Sequence, residues 1–312
     1  MTTQEQNELY DFGGNTTINV IVAIITSTGY GAMVLMMFVA MYYLSKKQRT
    51  IPVITLATGC MVMFVLFTIQ YLGSFGFSLL PIAAHTDESP QHVASYEKQE
   101  QYWTYTNFVA PGLLFLVGDV IVVWRAWVLL PTDKFYKFLL LVLMSAGSGI
   151  NIADIVLDYK QVQQELHGIT NSMDWIIYVS SLLINLLATL LIWRKLWAHQ
   201  RSVIFFVTRS RGHNIQRIMI LLIESGAFLG ITQVMNLGFV TAGYYNSNPT
   251  LGFLYAFHFF TALGPVATAL YPLAVIILVN TGNSPVHVAT VHVPERSVLE
   301  NLQAILEHNH EP

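Results

Sequence analysis

The chain has 312 residues, 54% of them hydrophobic and 11% charged, with a formal net charge of −3 and a mean hydropathy of +0.53. Soluble globular domains carry roughly 25% charged residues, so this chain has less than half the usual solvating charge and reads as a membrane protein. The acidic balance argues against a nucleic-acid partner, which needs a basic face, and the one cysteine, Cys60, excludes a disulfide framework within the chain.

A spanning helix needs about 20 mostly apolar residues. In chain order the candidates are Ile18–Leu44, Ile51–Leu72, Trp103–Leu130, Phe138–Leu157, Trp175–Trp197, Ile218–Ala242 and Leu251–Asn280. The sequence therefore predicts an all-α, seven-transmembrane bundle over residues 18–280. Residues 1–17 contain no Lys or Arg, lack the basic n-region of a removable signal, and are expected to form an extracellular tail. That tail holds the one acceptable glycosylation sequon, Asn15-Thr16-Thr17. The longest connection, about Gly73 to Tyr102, contains Pro81, Pro90 and several acids and reads as a loop.

Charge in the connections predicts the orientation. Lys46, Lys47 and Arg49 follow the first span, and Lys134 and Lys137 follow the third. Arg194, Lys195, Arg201, Arg209, Arg211 and Arg217 cluster between the fifth and sixth. The opposite side has only Lys98 and Lys160, beside seven acids that include Glu97, Glu100, Asp158 and Asp174. The positive-inside rule then puts the N-terminus outside and the C-terminus in the cytoplasm, in a multi-pass protein assigned to the plasma membrane. The basic loop 194–217 is a candidate surface for a cytoplasmic partner. Residues 281–312 form the expected cytoplasmic tail. In it Ser297-Val-Leu-Glu300 has a capping-box pattern, followed by apolar residues that share one helix face. Such a helix would rest on the protein or the inner leaflet, or bind a partner.

The segments "TGYGAMVL", "GDVIVVWRAWVL", "NLLATLLIWRKLWAHQR", "LLIESGAF" and "ALYPLAVIILVN" occur in that order between Thr28 and Asn280. On these the chain resembles a large, mostly uncharacterised family of seven-helix integral membrane proteins, abundant in mushroom-forming fungi. The resemblance implies a fold but no reaction or ligand. One departure is Leu130, where the family often has a tryptophan five residues after the arginine. Two other seven-helix classes fail. A retinal protein needs a seventh-span lysine for its Schiff base, and no lysine follows Lys195. The disulfide that usually tethers the third span of hormone receptors cannot form, because the one cysteine, Cys60, lies in the second span.

Charges inside spans face the bundle interior and usually pair. This chain has Asp119, Arg125, Asp154, Glu224 and His258 there, with Asn151, Asn185 and Asn236 as neutral companions. At about 1.5 Å per residue, Arg125 and Glu224 lie at matching depth, roughly 8 to 12 Å above the cytoplasmic surface. They are expected to form an intramembrane ion pair: a static register pin or a lock between the third and sixth spans, with snorkelling of Arg125 as the other option. Asp119 lies about 9 Å further out and is expected as a buried acid, protonated or bonded to hydroxyls and amides of neighbouring spans.

Asn151, Asp154, Asn236 and His258 gather toward the outer half and form a candidate site for a small molecule or lipid. Taken singly, His258 is more simply satisfied by a neighbouring carbonyl, and the two asparagines by bonds across helices. Asp154 and Asp158 share a helix face but form only one acid motif, where membrane prenyltransferases need two. Asp158 is also expected to be solvated at the span's edge. No HExxH, metal-spaced histidine pair, phosphate-binding glycine loop or Gly-x-Ser-x-Gly occurs, so neither a metal nor a cofactor is expected. The reading is a receptor-like protein that takes a small molecule or lipid from the outer side. The alternative is a membrane-embedded enzyme acting on isoprenoid or lipid substrates.

Overall fold

A computed structural model describes residues 3–46, 50–86, 90–130, 134–163, 174–204, 210–246 and 249–281. Among these the fold is all-helical: α1 (Thr3–Ser45), α2 (Ile51–Thr86), α3 (Pro90–Leu129), α4 (Lys134–Gln163), α5 (Asp174–Ile204), α6 (Ser210–Tyr245) and α7 (Leu251–Thr281). All seven are long and apolar enough to cross a membrane. Each expected span lies within one helix, except that the third, Trp103–Leu130, runs one residue past α3.

The ends differ from expectation. Residues 3–17 are helical and continuous with the first span, where a tail was expected, and Asn15 of the sequon is an exposed residue of α1. The expected loop from Gly73 to Tyr102 is mostly helix, because α2 runs on to Thr86 and α3 begins at Pro90. Proline suits the first helical position, where its missing N–H would have no partner anyway. Contact between the two helices carries them past the apolar stretch. A Cβ on Gly76 would lie 2.6 Å from the Trp103 ring, so only glycine lets the indole lie against that turn of α2. The basic residue Arg209 and the amphipathic tail segment 297–306 lie outside the described residues.

Sequential helices pack against each other, and α1 also packs against α7. Thr68 meets Tyr30 and Ser74 meets Asn107, while Asn185 meets Gly226. These pairs make successive helices antiparallel. Arg125 meets Tyr271 at the same end of α3 and α7, as parallel neighbours should in a bundle of odd number. Apolar residues gain little by leaving lipid, so close packing holds such a bundle together.

Two buried clusters provide that packing. One joins Val122, Ala126, Ile184, Leu191, Leu222 and Tyr271 across α3, α5, α6 and α7. The other joins Met33, Met63, Phe67, Ile121, Ala269 and Leu273 across α1, α2, α3 and α7. α3 and α7 belong to both and form the centre. The most apolar window of α7 is 67% buried, against 17% for α4 at the periphery.

Candidate functional site

Polar residues on α3 and its neighbours form three layers along the bundle. The layer nearest the C-terminal end of α3 centres on Arg125, which is 8% exposed. Its Nη2 donates to the Tyr271 hydroxyl and its Nε donates to the Ile121 carbonyl at 3.3 Å. The guanidinium carbon lies 4.3 Å from the centre of the Tyr271 ring, within cation–π range. Nη1 has no hydrogen-bond partner. The expected ion pair with Glu224 is not formed. Glu224 is exposed on α6, whose buried face carries Met219, Leu222, Leu229, Gln233, Asn236 and Val240. Matching depth was the right condition but an incomplete one, since the carboxylate is on the wrong side of its helix. The arginine is met by an aromatic alcohol.

The middle layer joins α3, α5 and α6. The Ser181 hydroxyl donates to Asp119 Oδ1 at 2.7 Å and accepts from Gln233 Nε2 at 2.9 Å. Asn185 Nδ2 donates to Gln233 Oε1 at 3.2 Å and to the Gly226 carbonyl at 3.0 Å. The expectation that Asp119 bonds a hydroxyl of a neighbouring span agrees with this geometry, although the residue is half-buried, not fully buried. Ser181 and Gln233 were not singled out from the sequence. Gly226 serves twice: its carbonyl accepts from Asn185, and a Cβ there would lie 2.5 Å from Thr189 Oγ1. Asp119 also faces Asn151, Ser148 and Ser180 across a hole of about 10 Å³.

The third layer is a cavity of about 390 Å³ near the N-terminal end of α1, with walls drawn from all seven helices. Pockets of roughly 300 to 1,000 Å³ hold drug-sized molecules. Asp154 and His258, from α4 and α7, both face it. Asn151 and Asn236 are buried just outside its wall, one against Gly112 and the other against Gly264. The four residues singled out from sequence are thus split into two that line the cavity and two that sit behind it.

Asp158 corrects an expectation. It is 7% exposed and lines the same cavity, not solvated at a span edge. α4 continues beyond the apolar stretch to Gln163, and the extended α3 packs beside it, with Tyr105 stacked on Tyr159 at 5.0 Å. Two carboxylates therefore face one largely apolar chamber, with Phe108, Phe115, Phe257 and Tyr178 among the walls. Gln70 was also missed. It lines the cavity at 4% exposure, and its Oε1 has no hydrogen-bond partner. The signal was present, because Met63, Phe67, Gln70 and Ser74 share one helix face and all are buried. Among the described residues no group of three or more His, Cys, Asp or Glu could hold a metal ion.

Neither a protein-family model, nor a curated protein, nor a solved structure matches the chain.

Proposed function

We propose that this multi-pass membrane protein binds a small molecule or lipid in the chamber lined by Asp154, Asp158 and His258, and is receptor-like. The chamber carries the reading: an apolar volume of about 390 Å³ with a few convergent polar groups is the usual form of a small-molecule site. The charge asymmetry of the connections supports an outward-facing chamber, with the N-terminus outside, the C-terminus in the cytoplasm and the plasma membrane as location. Under this orientation the middle layer and the Arg125–Tyr271 contact lie between the chamber and the basic loop 194–217, a surface for a cytoplasmic partner. Membership of the fungal seven-helix family is part of the same proposal and rests on motif order from Thr28 to Asn280.

Mass spectrometry of metabolites and lipids that co-purify with the protein tests the reading. One species should be enriched over an unrelated seven-helix protein, and should be lost from Asp154→Ala and from His258→Ala while both variants stay folded. A species retained by the Asp154→Ala/His258→Ala double variant would place binding elsewhere. One observation favours a second reading, the membrane enzyme. Two buried carboxyl groups facing an apolar chamber suit alkene protonation, one giving its proton to the alkene as an acid and the other, as a carboxylate, taking a proton from the resulting carbocation. Enzymatic action would be seen as conversion of the co-purified species on incubation, a change that Asp154→Asn or Asp158→Asn abolishes.

A further inference from the structure

The hydrogen-bonding sense of the chamber wall, which rests on the binding reading above, narrows the ligand. A hydroxyl has one proton to give and two lone pairs to offer. Of the hydroxyls lining the chamber, which also include those of Thr104 and Tyr178, Thr26 donates to the Val22 carbonyl at 2.8 Å, Ser78 to the Ser74 carbonyl at 2.7 Å, and Thr261 to the Phe257 carbonyl at 2.9 Å. Ser74 donates to Asn107 Oδ1 at 3.0 Å. A backbone carbonyl can only accept, so three of these protons are committed to the protein's own helices, and the fourth goes to a side-chain oxygen. What these groups have left to offer is lone pairs. Gln70 Oε1 adds a buried acceptor with no donor, a costly state until a donor arrives. Asp154 and Asp158 add two carboxyl groups, while no Lys or Arg lines the chamber and His258 is its one basic side chain. Donors are present on the side-chain amides of Asn19, Gln70 and Asn107 and the hydroxyls of Thr104 and Tyr178, but the wall carries two carboxyl groups and no Lys or Arg.

We infer that the ligand carries a protonated amine on an apolar body: its N–H groups meet the acceptors of Gln70, Asp154 and Asp158, and its hydrocarbon part lies among Phe108, Phe115 and Phe257. Those rings accommodate both ends of such a molecule, since aromatic faces attract cations as well as alkyl chains. A carboxylate or phosphate amphiphile would bring acceptors to a wall that already has them, and would meet no Lys or Arg there.

Three probes of one chain length test the inference on the full-length protein in nanodiscs: octylammonium, octanol and octanoate, with empty nanodiscs subtracting partition into lipid. Octylammonium should bind roughly tenfold or more tightly than octanol, as charge-assisted hydrogen bonds allow, and octanoate should bind most weakly. Asp154→Asn and Gln70→Leu should each weaken octylammonium binding by a larger factor than octanol binding, and so reduce that preference. The ranking on the unmutated protein is decisive even if a variant fails to fold. Equal or tighter binding of octanol or octanoate would overturn the amine inference and leave the chamber as a binding site. Failure of all three probes, with a co-purified species still lost from Asp154→Ala, would do the same. Failure of all three with nothing co-purifying would remove both readings.

Discussion

The contact between Arg125 and Tyr271 allows a sharp energetic test. Tyr271→Phe deletes the hydroxyl that accepts from Nη2 and keeps the ring against which the guanidinium lies. Hydrogen bonds between membrane helices couple by about 0.6 kcal/mol on average and up to about 1.7 kcal/mol. Charged donors sit at the strong end of hydrogen-bond scales, so a coupling of about 1.5 kcal/mol is expected here. Tyr271→Leu also removes the ring, adding a cation–π loss of about 0.5 to 2 kcal/mol, and strands a buried charge that has one nitrogen unpartnered already. Its total cost should be about 2 to 4 kcal/mol by the same sums. The assay is a double-mutant cycle by denaturant unfolding in detergent, with Arg125→Met as the second substitution because it keeps volume and removes charge. In the Arg125→Met background, Tyr271→Phe should cost close to nothing. The same cycle with Glu224→Gln should be additive within about 0.3 to 0.5 kcal/mol. A Tyr271→Phe variant as stable as the parent, or stronger coupling of Arg125 to Glu224 than to Tyr271, would refute this account of the arginine.

Other outcomes follow from the same contacts. Glu224→Gln alone should change stability by no more than about 0.5 kcal/mol, the range of exposed substitutions, as read from the unfolding midpoint. Gly226→Val forces a side chain into the space held by Thr189 and should cost about 1 to 3 kcal/mol as an overpacked site, with part recovered by Thr189→Ala. Gln233→Leu leaves Asn185 and Ser181 each short of a partner and should cost about 1 to 3 kcal/mol. Asn185→Leu/Gln233→Leu together should cost less than the two separate losses. On a Cys60→Ser background, a cysteine at Ser210 should resist membrane-impermeant reagents in intact cells, and its labelling would reverse the proposed orientation.

Spans were legible in the sequence because length and apolarity alone decide them, and each expected span matches one helix to within a residue at Leu130. Helix ends were not, because α2 and α3 continue on contacts with each other where the apolar signal has already stopped. That hidden continuation is why Asp158 was misplaced: its burial depends on neighbouring helices reaching as far as it does. Facing was legible but was not used for Glu224. Gln233 lies nine residues on, which at about 100° per residue is half a turn away, so the two cannot both face inward. Asp154 and His258 were brought together by depth and polarity, which sufficed because both lie on inward faces. Tyr271 carried no comparable mark. A tyrosine in an apolar span reads equally as packing or as an interfacial residue, and only the geometry of α3 against α7 shows that its hydroxyl meets a cation.

The central position of α7 has a consequence for biosynthesis. It is the last of the seven helices to leave the ribosome, yet it packs against α1, α2, α3 and α6 and belongs to both core clusters. Until it inserts, the six preceding helices can form only an open crescent around a slot one helix wide. Throughout that interval Arg125 has no Tyr271, and the chamber lacks the wall that bears His258. Assembly is therefore completed at the middle, by a keystone that arrives after the arch. A nascent chain stalled before Leu251 would leave Arg125 uncovered, a feature by which quality control can distinguish an unfinished protein from a finished one.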